Sequence, residues 1–438
     1  MNNNSVKDIL DWIDKKNKEI HVAIEKNCID DSDFWFYDVN EGAIVNKNRS
    51  FFAIKGIQKI ENGRVIAEQP ILLQNEIGYL GIICKVIDGE MNLLMYAKIE
   101  PGNINHIQIS PTIQATKSNF TQKHGGKKPP YLEYFVNASN YNIIVDQIQS
   151  EQSSRFLGKR NRNIIIEVDE NEEIEVLPSH RWMTLTQIKA LMKYDNLVNM
   201  DTRTVLSCIP ADKMEKFAPI NDVFLLNSVN DEADNTVELY QYINNYKMFD
   251  ESDYKLVPLY SMSSWEAKEN EFVCKNPYSF KVVFCDIQIE GREVTHWTQP
   301  LFEASGIATF GMLTCVDNGV RKFLVQAKPE IGCFDRIELA PSVQKEYICS
   351  ELLNSVDELF DKCVQEKRGI KFDTLLSEEG GRFYHEQNRN IIIEIDKDEL
   401  PNLPDGYFWT TYKVLNRLVQ VNNCLNIQLR NLLSVMEW

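Results

Sequence analysis

Apolar positions along the chain follow two rhythms. Val6, Ile9, Leu10 and Ile13 recur at helical spacing with Asp8, Lys15 and Lys16 opposite, and this predicts an amphipathic helix running to about Lys26. Beyond it, short β-branched and aliphatic runs take over. Phe51 to Ile57, Gly78 to Ile87, Leu93 to Ala97 and Asn163 to Val168 read as strands. Close spacing and tight turns such as Asp88-Gly89 predict an antiparallel meander. Helical periodicity returns at Leu185, Ile188, Leu191 and Met192, after Thr184 and Gln187 in a capping-box pattern.

The pattern is written twice. Gln69-Pro70 recurs as Gln299-Pro300, a displacement of 230 residues. The same displacement carries Trp35 to Trp265, Gly81 to Gly311, Ala97-Lys98 to Ala327-Lys328, Glu100 to Glu330, Gly102 to Gly332, Pro111 to Pro341 and Gln114 to Gln344. Arg162-Asn163-Ile164-Ile165-Ile166-Glu167 returns as Arg389-Asn390-Ile391-Ile392-Ile393-Glu394, displaced by 227, and Trp182 meets Trp409 and Arg203 meets Arg430 at that displacement. Such spacing implies a tandem duplication of one α+β unit. The expected organisation is a first repeat with its N-terminal helix over 1–209, a connector over 210–255 and a second repeat over 256–438. Thr411 keeps the helix cap in the second unit, but Val414 stands where Gln187 did. The connector is rich in Asn, Asp and Glu but interrupted by Tyr240, Tyr242, Tyr246 and Phe249, so it is expected to pack.

Composition narrows the class. The 438 residues, 43% hydrophobic and 25% charged, are those of a globular protein able to bury more than one core. A net charge of −17 argues against nonspecific binding to nucleic acid or to an anionic membrane. Ten cysteines are scattered singly, none in a CxxC or zinc-ligand spacing, which points to a reducing, cytoplasmic compartment and no metal. The polar start Met1-Asn2-Asn3-Asn4-Ser5 is neither a signal nor a transit peptide, and no apolar run is long enough to span a membrane.

One stretch, 97–135, breaks from core composition. Pro101-Gly102 and Gly125-Gly126 bracket Ser, Thr, Asn and Gln side chains. Lys98, Lys117, Lys123, Lys127 and Lys128 gather five cations in an acidic chain, beside Glu100, Glu133, His106, His124, Tyr131 and Tyr134. Cations to hold a polyanion next to acids and bases suit a nucleotide-sugar enzyme; a solvated loop has similar composition.

The strings EQP, IGYLGIICKVIDGEMNLLMYAKIEPGNIN, IQISPTIQATKSN and PPYLEYF resemble the NDP-hexose 2,3-dehydratases of deoxysugar biosynthesis. The resemblance implies tandem Nudix-like folds in a homodimer. It also implies a dTDP-linked 4-keto-6-deoxyglucose as substrate and a 3-ketoreductase that consumes the product. The Nudix hydrolase signature, a Gly-led helix with REUxEE, occurs in neither copy, so pyrophosphate cleavage is not expected. The implied reaction takes the C3 proton, acidified by the C4 carbonyl, and expels the C2 hydroxyl. No hydride moves, so neither nicotinamide nor flavin is required, and no Gly-rich dinucleotide fingerprint follows a strand.

For that chemistry the candidate bases are Glu100, His124 and Glu133, with His106 behind them. Lys98 and Glu100, at alternate positions, would point the same way in an extended segment, either as acid/base machinery or as an ion pair closing a turn. Tyr131 could donate to the C4 oxygen or sit in the core. Candidates for holding the diphosphate and nucleotide are Gln114, Thr116, Lys117, Asn119, Arg155, Arg162, Asn163 and Trp182. Lys328, Glu330, Gln344, Arg389, Asn390 and Trp409 would form a second, degenerate nucleotide site. Arg162 and Arg389 could equally be strand-end salt-bridge partners, and both tryptophans could be core residues. The second copy has no PPYLEYF, which favours the first as the working half. A non-catalytic nucleotide-sugar binder and an epimerase of the same ketosugar are the rival readings.

Overall fold

In the first half, the strand triplet Ile164-Ile165-Ile166 is buried on both faces: Ile165 joins one apolar cluster, Ile164 and Ile166 another. Burial on both faces is the mark of a central strand with parallel neighbours. In this computed structural model, which describes residues 5–117, 128–290, 294–348 and 353–436, the Arg160–Glu167 strand does run parallel to Gly78–Ile87. The expected simple meander is corrected to a mixed sheet.

That sheet has seven strands. Asn142–Ser150, Arg160–Glu167, Gly78–Ile87, Glu90–Ile99 and His180–Thr184 lie in this order, with Ile107–Ser110 also on Glu90–Ile99 and Ile113–Ala115 also on Gly78–Ile87. The second half pairs its strands in the same way. Ile370–Ser377, Gln387–Glu394, Thr309–Asp317, Val320–Pro329 and Tyr407–Thr411 form the row; Ile337–Pro341 lies on Val320–Pro329 and Val343–Lys345 on Thr309–Asp317. The architecture is α+β with two similar sheet-rich halves.

A short helix covers one face of each sheet. Leu132–Val136 brings Phe135 onto Gly81, where an added Cβ would lie 2.3 Å from the ring; Ser355–Gln365 brings Phe360 onto Gly311, where it would lie 2.2 Å away. The PPYLEYF segment therefore has a spatial counterpart in the second half, which sequence matching does not reveal. Thr184 and Gln187 form the expected capping box, while Thr411 caps its helix alone through Val414 N.

The N-terminal helix stops at Glu19 rather than near Lys26. Val22–Asn27 is a strand, because Val22 and Ile24 pack against a cluster of Cys285, Ile287 and Ile289. This strand belongs to the other half: it pairs antiparallel with Phe280–Ile289. In return, Asp253–Val257 pairs with Ala53–Glu61 of the first half. The segment before it packs, as expected of the connector, burying Met214, Phe217, Leu225, Leu239 and Ile243 in the largest core cluster. Helices Met200–Ser207 and Ile427–Val435 pack against each other between the sheets. Buried Arg203 donates to Ser377 O across the halves at 2.7 Å, and Arg430 to Ser150 O. Among the described residues no helix is long and apolar enough to cross a membrane, and the nine described cysteines are free thiols.

Candidate active site

Strand Glu90–Ile99 delivers Lys98 to the edge of the turn that follows it, and Glu100 is the next residue beyond the strand end. Alternate spacing lets the two side chains meet: Lys98 Nζ lies 2.7 Å from Glu100 Oε1, and the glutamate is 5% exposed. Gln114 Nε2 donates to the same oxygen at 3.1 Å. The amide is itself fixed, since Ser110 Oγ and Asn199 Nδ2 donate to Gln114 Oε1 at 3.0 and 3.2 Å. Asn199 also caps the helix that carries Asp201. Two donors thus meet on one carboxylate oxygen, and the second is itself fixed from two further elements.

The remaining wall comes from the second half. The loop 378–386 reaches across, and its backbone is clamped to the turn: Gly102 N donates to Gly380 O at 2.7 Å and His385 N to Gly102 O at 2.8 Å. Only glycines permit this approach. A Cβ on Gly102 would fall 1.6 Å from Phe383 O, and one on Gly380 would fall 2.2 Å from Asn103 Oδ1. The loop brings Glu379 and Arg382. A Cβ on Gly381 would lie 3.2 Å from Glu379 Oε1 and 3.4 Å from Glu100 Oε1, so two carboxyls from different halves flank one spot. Arg382 donates to Gln74 Oε1 at 3.1 Å, with its guanidinium 4.4 Å from the Phe52 ring centroid.

Electrostatics here are those of a buried, acid-rich centre. Burial raises the pKa of Glu379, and the charge of Glu100 adds to it while Arg382 opposes it. Burial, then repulsion within a cluster of carboxyls that includes Glu151 and Glu379, holds Asp201 well above the ordinary carboxylate range. Glu151 is pushed up to about 7, chiefly by burial. Lys159 donates to Asn161 Oδ1 at 2.9 Å, and burial lowers its pKa. A lysine-paired carboxylate beside a carboxyl that favours its protonated form can take one proton and give another.

The other half builds a parallel centre with different contents. Gln344 Nε2 donates to Glu330 Oε1 at 3.0 Å, Asn426 Nδ2 to Gln344 Oε1 at 2.9 Å, and Lys328 opposes the rise that burial imposes on Glu330. Arg155 crosses from the first half as Arg382 does from the second. Here Glu346, at the position of Thr116, occupies it: Arg155 Nη2 lies 3.2 Å from both carboxylate oxygens, and its guanidinium is 4.0 Å from the Phe280 centroid. Gln152 and Gln428 stand at the positions of Glu379 and Asp201.

The sequence model of a family described as NDP-hexose 2,3-dehydratase matches residues 6–209 and 236–436. The chain belongs to this family. It is 37% identical to a dTDP-4-dehydro-6-deoxy-alpha-D-glucopyranose 2,3-dehydratase of Saccharopolyspora spinosa, over 92% of this chain and 85% of the relative. Proteins of the same name from Streptomyces violaceoruber and Amycolatopsis orientalis are 34% and 33% identical, over 97% and 98% of this chain and 96% and 90% of theirs.

Of the residues singled out from sequence, Lys98, Glu100 and Gln114 meet at the first centre, and Lys328, Glu330 and Gln344 at the second. Thr116 and Lys117 follow the Ile113–Ala115 strand directly. Asn119 and His124, with Ser118, Lys123 and Lys127, lie outside the described residues. The structure places the others elsewhere. Glu133 is exposed and ion-paired with Lys128. Tyr131 donates to Glu175 O at 2.8 Å, accepts from Leu177 N at 3.1 Å, and meets His180 edge-on. Arg162 makes a two-pronged pair with Asp146 across neighbouring strands, both contacts 2.6 Å, and Arg389 does the same with Asp373 at 2.8 and 2.7 Å. Asn163 and Asn390 are buried, each donating to a main-chain carbonyl two residues back. Trp182 and Trp409 pack beside apolar clusters under the two sheets. His106 is exposed in a turn at φ +61°. Arg155, expected to serve the first half's site, faces the second centre instead.

Sequence reading missed Glu379, Arg382, Asp201 and Lys159. The displacement of 227 residues already pairs Arg382 with Arg155 and Glu379 with Gln152, but nothing in it says that each loop serves the opposite half. A cavity of about 430 Å³ lies away from both centres, and Glu167, Asp169, Glu170 and Glu172 in its lining give it the wrong charge for a diphosphate.

Proposed function

We propose that this chain eliminates water across C2 and C3 of dTDP-4-keto-6-deoxyglucose, yielding the 3,4-diketo-2,6-dideoxy sugar. The observation that carries this reading is family membership through both halves. Glu100 is the base that takes the C3 proton, and Lys98, held 2.7 Å from it, steadies negative charge growing on the C4 oxygen. The electron pair then returns from that oxygen, the C2=C3 bond forms, and the C2 hydroxyl leaves as water. Ketonisation of the resulting enol gives the product. Gln114 acts by positioning Glu100.

To test the reading, the purified protein is incubated with the dTDP-ketosugar in deuterated water, and any product is trapped by a 3-ketoreductase. Loss of water with deuterium incorporated at C2 of the trapped sugar is expected. Deuterium at C3 without elimination would make the protein an epimerase, and binding without turnover would make it a carrier.

The matching strand pairings and spaced sequence matches support descent of both halves from one duplicated module, which we take to be Nudix-like. A homodimer of such chains, passing a reactive diketone to a ketoreductase, completes the proposal.

A further inference from the structure

We propose that Glu379, supplied by the second half, is the acid that protonates the departing C2 hydroxyl in the centre whose Lys98–Glu100 pair comes from the first half. The inference rests on the dehydratase reading above and identifies a reacting group that the motifs around Lys98 do not contain.

Elimination needs two proton-transferring groups on one sugar ring, one for C3–H and one for the C2 oxygen, and the carbons are adjacent. The structure brings two carboxyls to one spot, Glu100 Oε1 and Glu379 Oε1, 3.4 and 3.2 Å from where a Gly381 side chain would begin. Their difference in setting divides the labour. Glu100 is held on one oxygen by Lys98 at 2.7 Å and by Gln114 at 3.1 Å. Glu379 has Arg382 nearby, but that guanidinium is bound to Gln74 and to Gly381 O. The backbone around Glu379 is held by the Gly102–Gly380 hydrogen bond, so the carboxyl is delivered by a fixed loop end.

The second centre supplies an internal comparison. Its equivalent of Glu379 is Gln152, on the loop that reaches back from the first half. An amide there keeps the size but cannot give up a proton to a leaving oxygen. The base position retains a carboxyl in both centres, as Glu100 and Glu330, so the difference falls on the acid.

In the step itself, Glu100 takes the C3 proton and the C3–H pair forms the enolate. Glu379 then gives its proton to the C2 oxygen, the C2–O bond breaks toward that oxygen, and water departs. Ketonisation of the enol removes one proton from oxygen and adds one to C2, which resets both carboxyls. No electron is gained or lost overall.

The experiment is Glu379→Gln, which makes the first centre resemble the second. Wild type must first turn over; if it does not, the dehydratase reading fails and Glu379 is not reached. With wild type active, Glu379→Gln is expected to lose about 10²–10⁴-fold in elimination while unreacted ketosugar recovered from deuterated water carries deuterium at C3. Glu379→Asp should restore part of the elimination. Elimination within a few fold of wild type in Glu379→Gln would overturn the proposal. So would loss of C3 exchange together with elimination in a variant whose melting temperature matches wild type, since Glu379 would then act on the C3 proton. If Glu379→Gln does not fold, Glu379→Asp decides: wild-type exchange with slowed elimination supports the acid role, and equal loss of both overturns it.

Discussion

Glu100 Oε1 accepts from Lys98 and from Gln114, and Gln114 is itself held by Ser110 and Asn199. A carboxylate fixed by that many partners loses little freedom when it acts, which is how a small group gains a large effective concentration. Glu100→Gln should remove both C3 exchange and elimination, by about 10²–10⁴-fold, in contrast to the split expected for Glu379→Gln; both are read by mass spectrometry of the recovered sugars. Gln114→Ala should cost only about tenfold, the worth of one net hydrogen bond. At this scale the sequence was half legible. Lys98 and Glu100 stand two apart directly after an apolar run that reads as a strand, so their meeting was readable. Glu379 and Arg382 sit in EEGGRF, where Gly380 and Gly381 look like a loop and nothing more. Their meaning depends on Gly102, in the other half of the chain.

Among the elements, the covering helices set a steric constraint that can be tested directly. Phe135 and Phe360 press on strands that are bare at Gly81 and Gly311. Gly81→Ala should destabilise the fold by about 1–3 kcal/mol through overpacking, seen as a lower midpoint in urea. Shrinking the partner in Gly81→Ala/Phe135→Leu should cost less than the sum of the single changes, because the two sites share one contact. The displacement of 230 marks both glycines, yet the helices above them share no readable motif: LEYFV and SVDELFDKCVQ are matched only by where their phenylalanines land. Strand existence followed from apolar runs. The parallel pairing did not, because the run Ile164-Ile165-Ile166 has one parallel and one antiparallel neighbour, and its composition does not say which lies on which side. The helix drawn through Lys26 failed where β-branched Val22 and Ile24 found a sheet to join.

For the whole molecule, the interface between the halves is where charge is buried. Burial pushes the pKa of Glu386 up to about 8 and those of Glu338 and Glu151 up to about 7. Each is ionised above about 4.5 in the unfolded chain but keeps its proton when folded until the raised value is passed. Between those limits the unfolded state holds fewer protons, so stability falls as pH rises, by up to about 1.4 kcal/mol per pH unit and group. His180, lowered to about 4 by burial, acts in the opposite sense, but only below its unfolded value of about 6.5. From pH 6.5 to 8 the carboxyls are left to dominate, and the melting temperature should fall across that window. Glu386→Gln should flatten the slope there and raise stability at pH 8, as measured by calorimetry at fixed ionic strength.

Val22–Asn27 and Asp253–Val257 change places between the two halves, and this has a consequence in the cell. A nascent polypeptide leaves the ribosome with its opening strand already made and the sheet that will receive it far from written. At ordinary elongation rates that wait is on the order of 10 seconds or more. Neither half can close its own edge from its own residues alone, so the first module waits for strands that reach Ile289 before it can mature, and a chain released before then offers bare strands to whatever is nearby.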